Sequence, residues 1–238
     1  MNLPACCTAP LIHWPLPQLL PGAVLASNRF NPAELTPHDF LHCAIEAPAS
    51  IQRSVIKRQA EFLAGRLCAR SALEQLGVAN YVPIIGDDRA PVWPQGLCGS
   101  ITHGAGWAGA VVAHQANYRG LGLDMESIMP NVRARRLQAE ILTAEELSRL
   151  DQLPAERIGL AVTLTFSLKE SLFKALYPLV LRRFYFEHAE VMFWSEHGHA
   201  RLRLLTDLSE EWHQGTELDA QFCVSDGHLL SLIAIPAL

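Results

Sequence analysis

The spacing of hydrophobic residues changes several times along the chain, and each change predicts an element. From Ile51 to Gly77 the apolar residues Ile51, Val55, Phe62, Leu63, Leu67, Ala69, Leu73 and Leu76 fall near helical spacing, and Gly77 supplies a stop. Lys57, Arg58, Arg66 and Arg70 interleave with that stripe. A second long helical stretch covers 156–181, either continuous or broken near Thr165 to Ser167, and shorter ones cover 132–141 and 143–151. Thr143-Ala144-Glu145-Glu146 has the form of a capping box. Strand-like runs occupy Val24–Phe30, Trp107–Ala113, Tyr118–Ser127, Tyr185–Trp194, His199–Leu205, Gln221–Ser225 and Leu229–Ile235, with turns at Glu196-His197-Gly198 and Asp226-Gly227. Residues 1–22 are proline-rich and predict an extended arm, 31–50 predict short helical pieces between turns, and 81–98 and the Gly99–His103 segment predict loops.

The stretches RQAEFLAGRLCARSAL and FSLKESLFKAL are both amphipathic with basic residues on the polar side, and each precedes strands. That weak repeat predicts two lobes of similar α+β plan, meeting near His114 to Arg119, with an N-terminal lobe over 1–116 and a C-terminal lobe over 117–238. A length of 238 residues, half of them hydrophobic and 18% charged, suffices for a real core and argues against disorder. A net charge of −5 argues against a general nucleic-acid binder, so any bound anion needs a local basic cluster. No apolar run has the length of a membrane span, and the start of the chain lacks the pattern of a signal peptide. The six cysteines include no C-x-x-C pair and predict reduced thiols in a cytoplasmic protein.

Four groups of residues carry candidate chemistry. Asp124 and Glu126, two apart in a predicted strand, project to one face, and side-by-side carboxylates suit a hard cation such as magnesium. A solvent-facing strand end is the plain alternative. Glu170 and Lys174, four apart on a predicted helix, share a face: a third carboxylate and a charge to offset a phosphate, or an ordinary surface ion pair. Ser167 and Glu170 also have capping-box spacing, which would leave Glu170 a purely structural role. Ser100, Thr102 and His103 in a glycine-flanked segment offer hydrogen bonds to a phosphate, although a histidine in a chain with ten of them is more often structural. Arg58 and Arg66 lie near one helix face, and with Arg89 they are candidates for phosphate binding in fork geometry, or else solvated surface charges.

The order and wording of these groups is more specific than any one of them. Gly122-Leu123-Asp124-Met125-Glu126, followed by Phe166-Ser167-Leu168-Lys169-Glu170-Ser171-Leu172-Phe173-Lys174-Ala175, resembles the paired signature of the 4′-phosphopantetheinyl transferases. Arg58 to Arg66, Trp93-Pro94 and Gly99 to His103 add further matches. The whole is most similar to the two-lobed type that activates surfactin and enterobactin synthetases, in wording closest to the pseudomonad enzymes. The resemblance implies a pseudo-dimer of two α+β lobes with coenzyme A in the cleft and Mg2+, or Mn2+, held by Asp124, Glu126 and Glu170. It implies that Arg58, Arg66, Arg89, Ser100, Thr102 and His103 hold the nucleotide end of coenzyme A, and that Lys169 and Lys174 face its phosphates. Glu170 would be the base and Lys174 would serve the leaving phosphate. The implied partners are apo acyl and peptidyl carrier proteins, met by a monomer that binds neither nucleic acid nor membrane; Arg133, Arg135, Arg136, Arg182 and Arg183 are available for docking. Competing readings are a magnesium-dependent nucleotide phosphohydrolase, a silent binder of coenzyme A or a carrier, and an interaction module.

Overall fold

Two large hydrophobic cores form, each around one long helix laid on an antiparallel sheet, in a computed structural model that describes residues 3–238. Contacts divide the chain into two compact units. One takes residues up to Trp14, Leu20–Tyr118 and Ala237–Leu238; the other takes Pro15–Leu19 and Arg119–Pro236.

The first unit contains β1 (Leu11–Ile12), β2 (Ala23–Arg29), α1 (Asp39–His42), α2 (Ala49–Gln52), α3 (Ile56–Gln75), β3 (Ile84–Ile85), β4 (Pro91–Val92), β5 (Leu97–Gly104) and β6 (Trp107–His114). Its main sheet has the order β1-β2-β6-β5. Ala26, Ala108, Ala110 and Val112 join Leu63, Ala64, Leu67, Cys68 and Ala72 of α3 in one core. The expected helix over 51–77 is divided: Val55 is extended, so 49–52 forms a separate turn and α3 starts at Ile56. Its end is as expected, with Gly77 at φ +83, a conformation in which any Cβ is strained. The Gly99–His103 segment, expected as a loop, is the middle of β5 and pairs with β6 from Leu97↔His114 to Gly104↔Trp107. Its Ser-Ile-Thr-His alternation is a period-two pattern, and the glycines on either side concealed it. The 81–98 segment likewise contains the β3–β4 hairpin.

The second unit contains β7 (Tyr118–Ser127, of which Tyr118 belongs with the first unit), α4 (Asn131–Ile141), α5 (Ala144–Leu150), α6 (Ile158–Val180), β8 (Ala189–Trp194), β9 (His199–Leu204), β10 (Glu217–Ser225) and β11 (His228–Pro236). The sheet order is β7-β11-β10-β9-β8. The capping box at α5 forms as its sequence predicts: Thr143 accepts from the Glu146 amide, and Glu146 accepts from the Thr143 amide. Helix α6 runs unbroken through Thr165 to Ser167, with the Thr163 and Thr165 hydroxyls donated to the carbonyls of Gly159 and Ala161. Leu164, Leu168, Leu172 and Leu176 form a fully buried ridge against the sheet. Each such leucine contributes about 1.5–3 kcal/mol through burial. The strand expected from Tyr185 starts only at Ala189, since 186–188 make a 3-10 turn, and the strand expected from Gln221 starts earlier, at Glu217.

Among the described residues no helix is long and apolar enough to cross a membrane.

Candidate active site

The site is best understood from the seam between β7 and α6. Gly120 and Gly122 lie under the helix, and a Cβ on Gly122 would meet the Ser171 carbonyl oxygen at 1.8 Å. Gly120 stands in the same relation to the Ala175 carbonyl, at 2.4 Å. Only glycine permits that approach. The next positions on the same face of the strand are Asp124 and Glu126, so the carboxylates emerge where α6 presents Glu170 and Lys174. Ser167, Ser171 and Ser231 hold the helix from behind: the Ser231 hydroxyl lies 2.7 Å from that of Ser167 and 2.8 Å from that of Ser171, all three fully buried. Ser167 is therefore mid-helix and bonded to β11, so Ser167 and Glu170 form no capping box.

Electrostatics at the seam are unbalanced toward negative charge. Asp124 is 5% exposed, and its Oδ1 accepts from Lys174 Nζ at 2.6 Å. Lys174 also donates to the Leu123 carbonyl at 3.0 Å, so it pairs with the strand and makes no surface bridge to Glu170. Asp124 Oδ2 is buried with no hydrogen-bond partner. Burial, then the neighbouring Asp124 carboxylate, pushes Glu126 up to about 7. Burial also raises Glu170, with Lys174 opposing and Asp124 adding to the rise. An orphaned carboxylate oxygen and two carboxyls lifted above their usual range are what a hard oxygen-seeking cation would relieve. Among the described residues no three acidic, cysteine or histidine side chains have closed to metal-ligand spacing.

The predicted basic residues divide into separate places in the first unit. Arg58 Nη1 donates to His103 Nε2 at 2.5 Å. Arginine can only donate, so the His103 proton sits on Nδ1, which faces Glu61 Oε2 at 3.5 Å. Arg66, two turns along α3, is 6% exposed, lies over the Phe62 ring at 4.5 Å, and leaves Nε without a partner. Burial and then the Arg58 charge lower it to about 10. Ser100 and Thr102 alternate with His103 along β5 and so occupy the opposite face of the sheet from it, both buried. Arg89 stands exposed at the tip of the β3–β4 hairpin with φ +73.

The Lys169 ammonium is turned into the protein. The residue is 3% exposed, and its ammonium donates to the Ile141 carbonyl at 2.9 Å, Glu146 Oε2 at 2.7 Å and the Phe186 carbonyl at 2.9 Å. All three donors are used, which overturns its expected place as a phosphate ligand. On a helix of roughly 3.6 residues per turn, Lys169 and Lys174 are five apart and do not share a face.

A cavity of about 210 Å³ adjoins Lys169 and Glu170, lined also by Phe173, Phe184, Tyr185, Phe186 and Arg183. Of the further lining residues only Arg183 is a sequence candidate, for docking; the aromatic run Phe184-Tyr185-Phe186 is the signal for the cavity, and from Tyr185 on it has the pattern of a strand. A larger cavity of about 460 Å³ is lined by Leu142, Arg149, Leu153, Phe193 and Trp194 with their neighbours, and by none of the three acids.

The sequence of both units matches a known family. Residues 46–113 match the 4′-phosphopantetheinyl transferase N-terminal domain, and residues 120–231 match the 4′-phosphopantetheinyl transferase superfamily. The 4′-phosphopantetheinyl transferase PptT of Mycobacterium tuberculosis is 38% identical over 74% of this chain and 75% of its own length. Enterobactin synthase component D of Salmonella typhi is 40% identical over 68% of this chain and 65% of its own. The 4′-phosphopantetheinyl transferase Npt of Nocardia iowensis is 30% identical over 77% and 85%. A holo-ACP-synthase structure from Plasmodium yoelii overlays on 51% of this chain and 96% of its own at a TM-score of 0.40 and 14% identity, a partial likeness only. With two family matches that together span both units and relatives aligned across most of their length, the chain belongs to the 4′-phosphopantetheinyl transferase superfamily and is a transferase.

Proposed function

We propose that the protein transfers the 4′-phosphopantetheine arm of coenzyme A to a serine hydroxyl of apo acyl and peptidyl carrier proteins. The new bond joins the serine oxygen to the β-phosphorus, the pyrophosphate P–O bond breaks, and adenosine 3′,5′-bisphosphate leaves. The observation that carries this reading is the set of Asp124, Glu126 and Glu170 beside Lys174, with Asp124 Oδ2 orphaned, in a chain of this family. Oxygen donors of this kind suit Mg2+ or Mn2+, held by Asp124, Glu126 and Glu170. When bound, the cation neutralises charge building on the phosphate oxygens.

The chain's own residues do the rest. Glu170, held above the usual carboxylate range by burial, is placed to take the proton of the attacking serine. Lys174 offers an ammonium to the leaving phosphate. Arg58, Arg66 and His103, with Arg89, Ser100 and Thr102 in support, are the candidates to bind the phosphates and nucleotide of coenzyme A. Arg66 is the strongest of them, since an unpaired buried guanidinium is relieved by an anion. The aromatic cavity beside Glu170 suits the uncharged pantetheine arm. Arg133, Arg135 and Arg136, exposed on α4, and the exposed Arg182 and Arg183 offer positive charge to an acidic carrier. We place the chain in the two-lobed enterobactin-synthetase-activating type, divided near 116/117, and expect a cytoplasmic monomer.

Intact mass spectrometry of apo acyl and apo peptidyl carrier proteins, incubated with this protein, coenzyme A and Mg2+, tests the proposal. A gain of one phosphopantetheine, absent with Asp124→Ala, supports it. No gain on either carrier rejects it.

A further inference from the structure

We propose that Lys169 is a positioning residue: with Glu146 it forms a buried clamp that holds Glu170 and the cavity wall at Phe186 in register. The inference rests on the transferase reading above and adds a role for two residues whose charged groups are both spent on the protein itself.

The clamp is a small network with no spare bonds. Lys169 spends its three hydrogens on Ile141, Glu146 and Phe186. Glu146 spends one oxygen on the Val191 amide at 2.6 Å, and the other on Lys169 and on the Thr143 amide at 2.8 Å. One ion pair therefore ties together the last residue of α4, the N-cap of α5, the middle of α6, the 3-10 turn at 186–188 and β8. Both side chains are nearly inaccessible, at 2% and 4%. Burial alone would lower the lysine's affinity for its proton, and Glu146 is the first of the charges opposing that loss, ahead of Glu190 and Glu187.

Position converts this structural pair into a functional one. Lys169 precedes Glu170 in α6, so the clamp fixes the helix one residue from the proposed base. Its bond to the Phe186 carbonyl holds the turn that walls the cavity next to Glu170, and the Phe186 ring rests against Phe166 at 5.3 Å. Losing either partner leaves an uncompensated buried charge, whereas replacing both by apolar groups of similar size removes the problem. A residue that binds substrate phosphate shows no such rescue. That difference separates a positioning role from a ligand role.

The experiment is a double-mutant cycle with Glu146→Met and Lys169→Met, reading three quantities for each variant. They are Tm, kcat for carrier modification, and the Kd of adenosine 3′,5′-bisphosphate by titration calorimetry. Each single variant is expected to lower Tm by about 10 °C and kcat by at least about tenfold. The double variant should regain most of both, with Kd within about threefold of the parent throughout. A double variant that regains Tm and not kcat, or a Lys169→Met protein whose Kd rises tenfold or more, overturns the proposal. If a single variant does not fold, Glu146→Gln, which keeps the side-chain shape, takes its place. Lowered kcat with unchanged Kd then supports the clamp, and parental kcat rejects it. A parent protein that modifies no carrier would sink the transferase reading, while Tm across the cycle would still report whether the pair is structural.

Discussion

Arg66 and Lys169 make an instructive pair. Each is a buried cation on the core helix of its own unit, embedded in a family motif, and from sequence the two read alike. In the structure they are opposites. Lys169 has a carboxylate and two carbonyls, so its charge is fully answered within the unit. Arg66 has an aromatic ring, a neighbouring arginine and an unpartnered Nε, and pays for burial with a depressed pKa. A compensated buried charge holds the fold together, and an uncompensated one in a cluster of like charges is the kind of place proposed above for a ligand of opposite sign.

The strongest way to break the comparison is at the acids. Glu170→Gln should reduce kcat by roughly a hundredfold or more while leaving adenosine 3′,5′-bisphosphate affinity within a few-fold, measured by carrier mass shift and calorimetry. Equal losses in both would make Glu170 a binding residue only. Next is Arg66→Met, which should weaken adenosine 3′,5′-bisphosphate by roughly ten- to a hundredfold and at the same time raise Tm, because an unpaired buried charge is removed. Lys169→Met should move Tm the other way; if both variants lower Tm, the contrast between the two cations fails.

A smaller effect links metal and pH. Glu126 is lifted from 4.5 to about 7, so between those values the metal-free native state holds more protons than the unfolded chain, and its stability falls as pH rises through that window. Mg2+ should relieve this strain, so the Tm gain on adding it should be larger at pH 8 than at pH 6 and should vanish in Asp124→Asn. A gain independent of pH would remove Glu126 from the ligand set. The smallest effect is expected at Arg89, exposed on a hairpin tip: Arg89→Ala should change the KM for coenzyme A by no more than about threefold.

Much of this was legible beforehand. The long helices, most strands and the capping box at Thr143 follow from local periodicity and local hydrogen bonding. The meeting of Asp124 and Glu126 with Glu170 and Lys174 was inferable only through family wording, since nothing in a D-x-E string says which helix will cross it. Ser100 to His103 was misread as a loop because its glycine neighbours outweighed a four-residue alternation. Lys169 was misassigned for a deeper reason. Whether a lysine is a ligand or a strut depends on what lies at Ile141, Glu146 and Phe186, between 17 and 28 residues away, and no pattern within the motif records that.

The glycines beneath α6 have one more consequence. Because Gly122 leaves no room for even a methyl group, the gap between strand and helix is set by main-chain atoms, and side-chain repacking cannot adjust it. The seam thus fixes how closely the backbones that carry Asp124 and Glu170, the acids proposed to share a cation, approach each other. Magnesium–oxygen distances are about 2.0–2.1 Å and calcium–oxygen distances about 2.3–2.6 Å, so under the proposed ligand set that spacing would favour one ion over the other. In Gly122→Ala, pushing the helix outward would shift the preference toward the larger ion before it abolished binding.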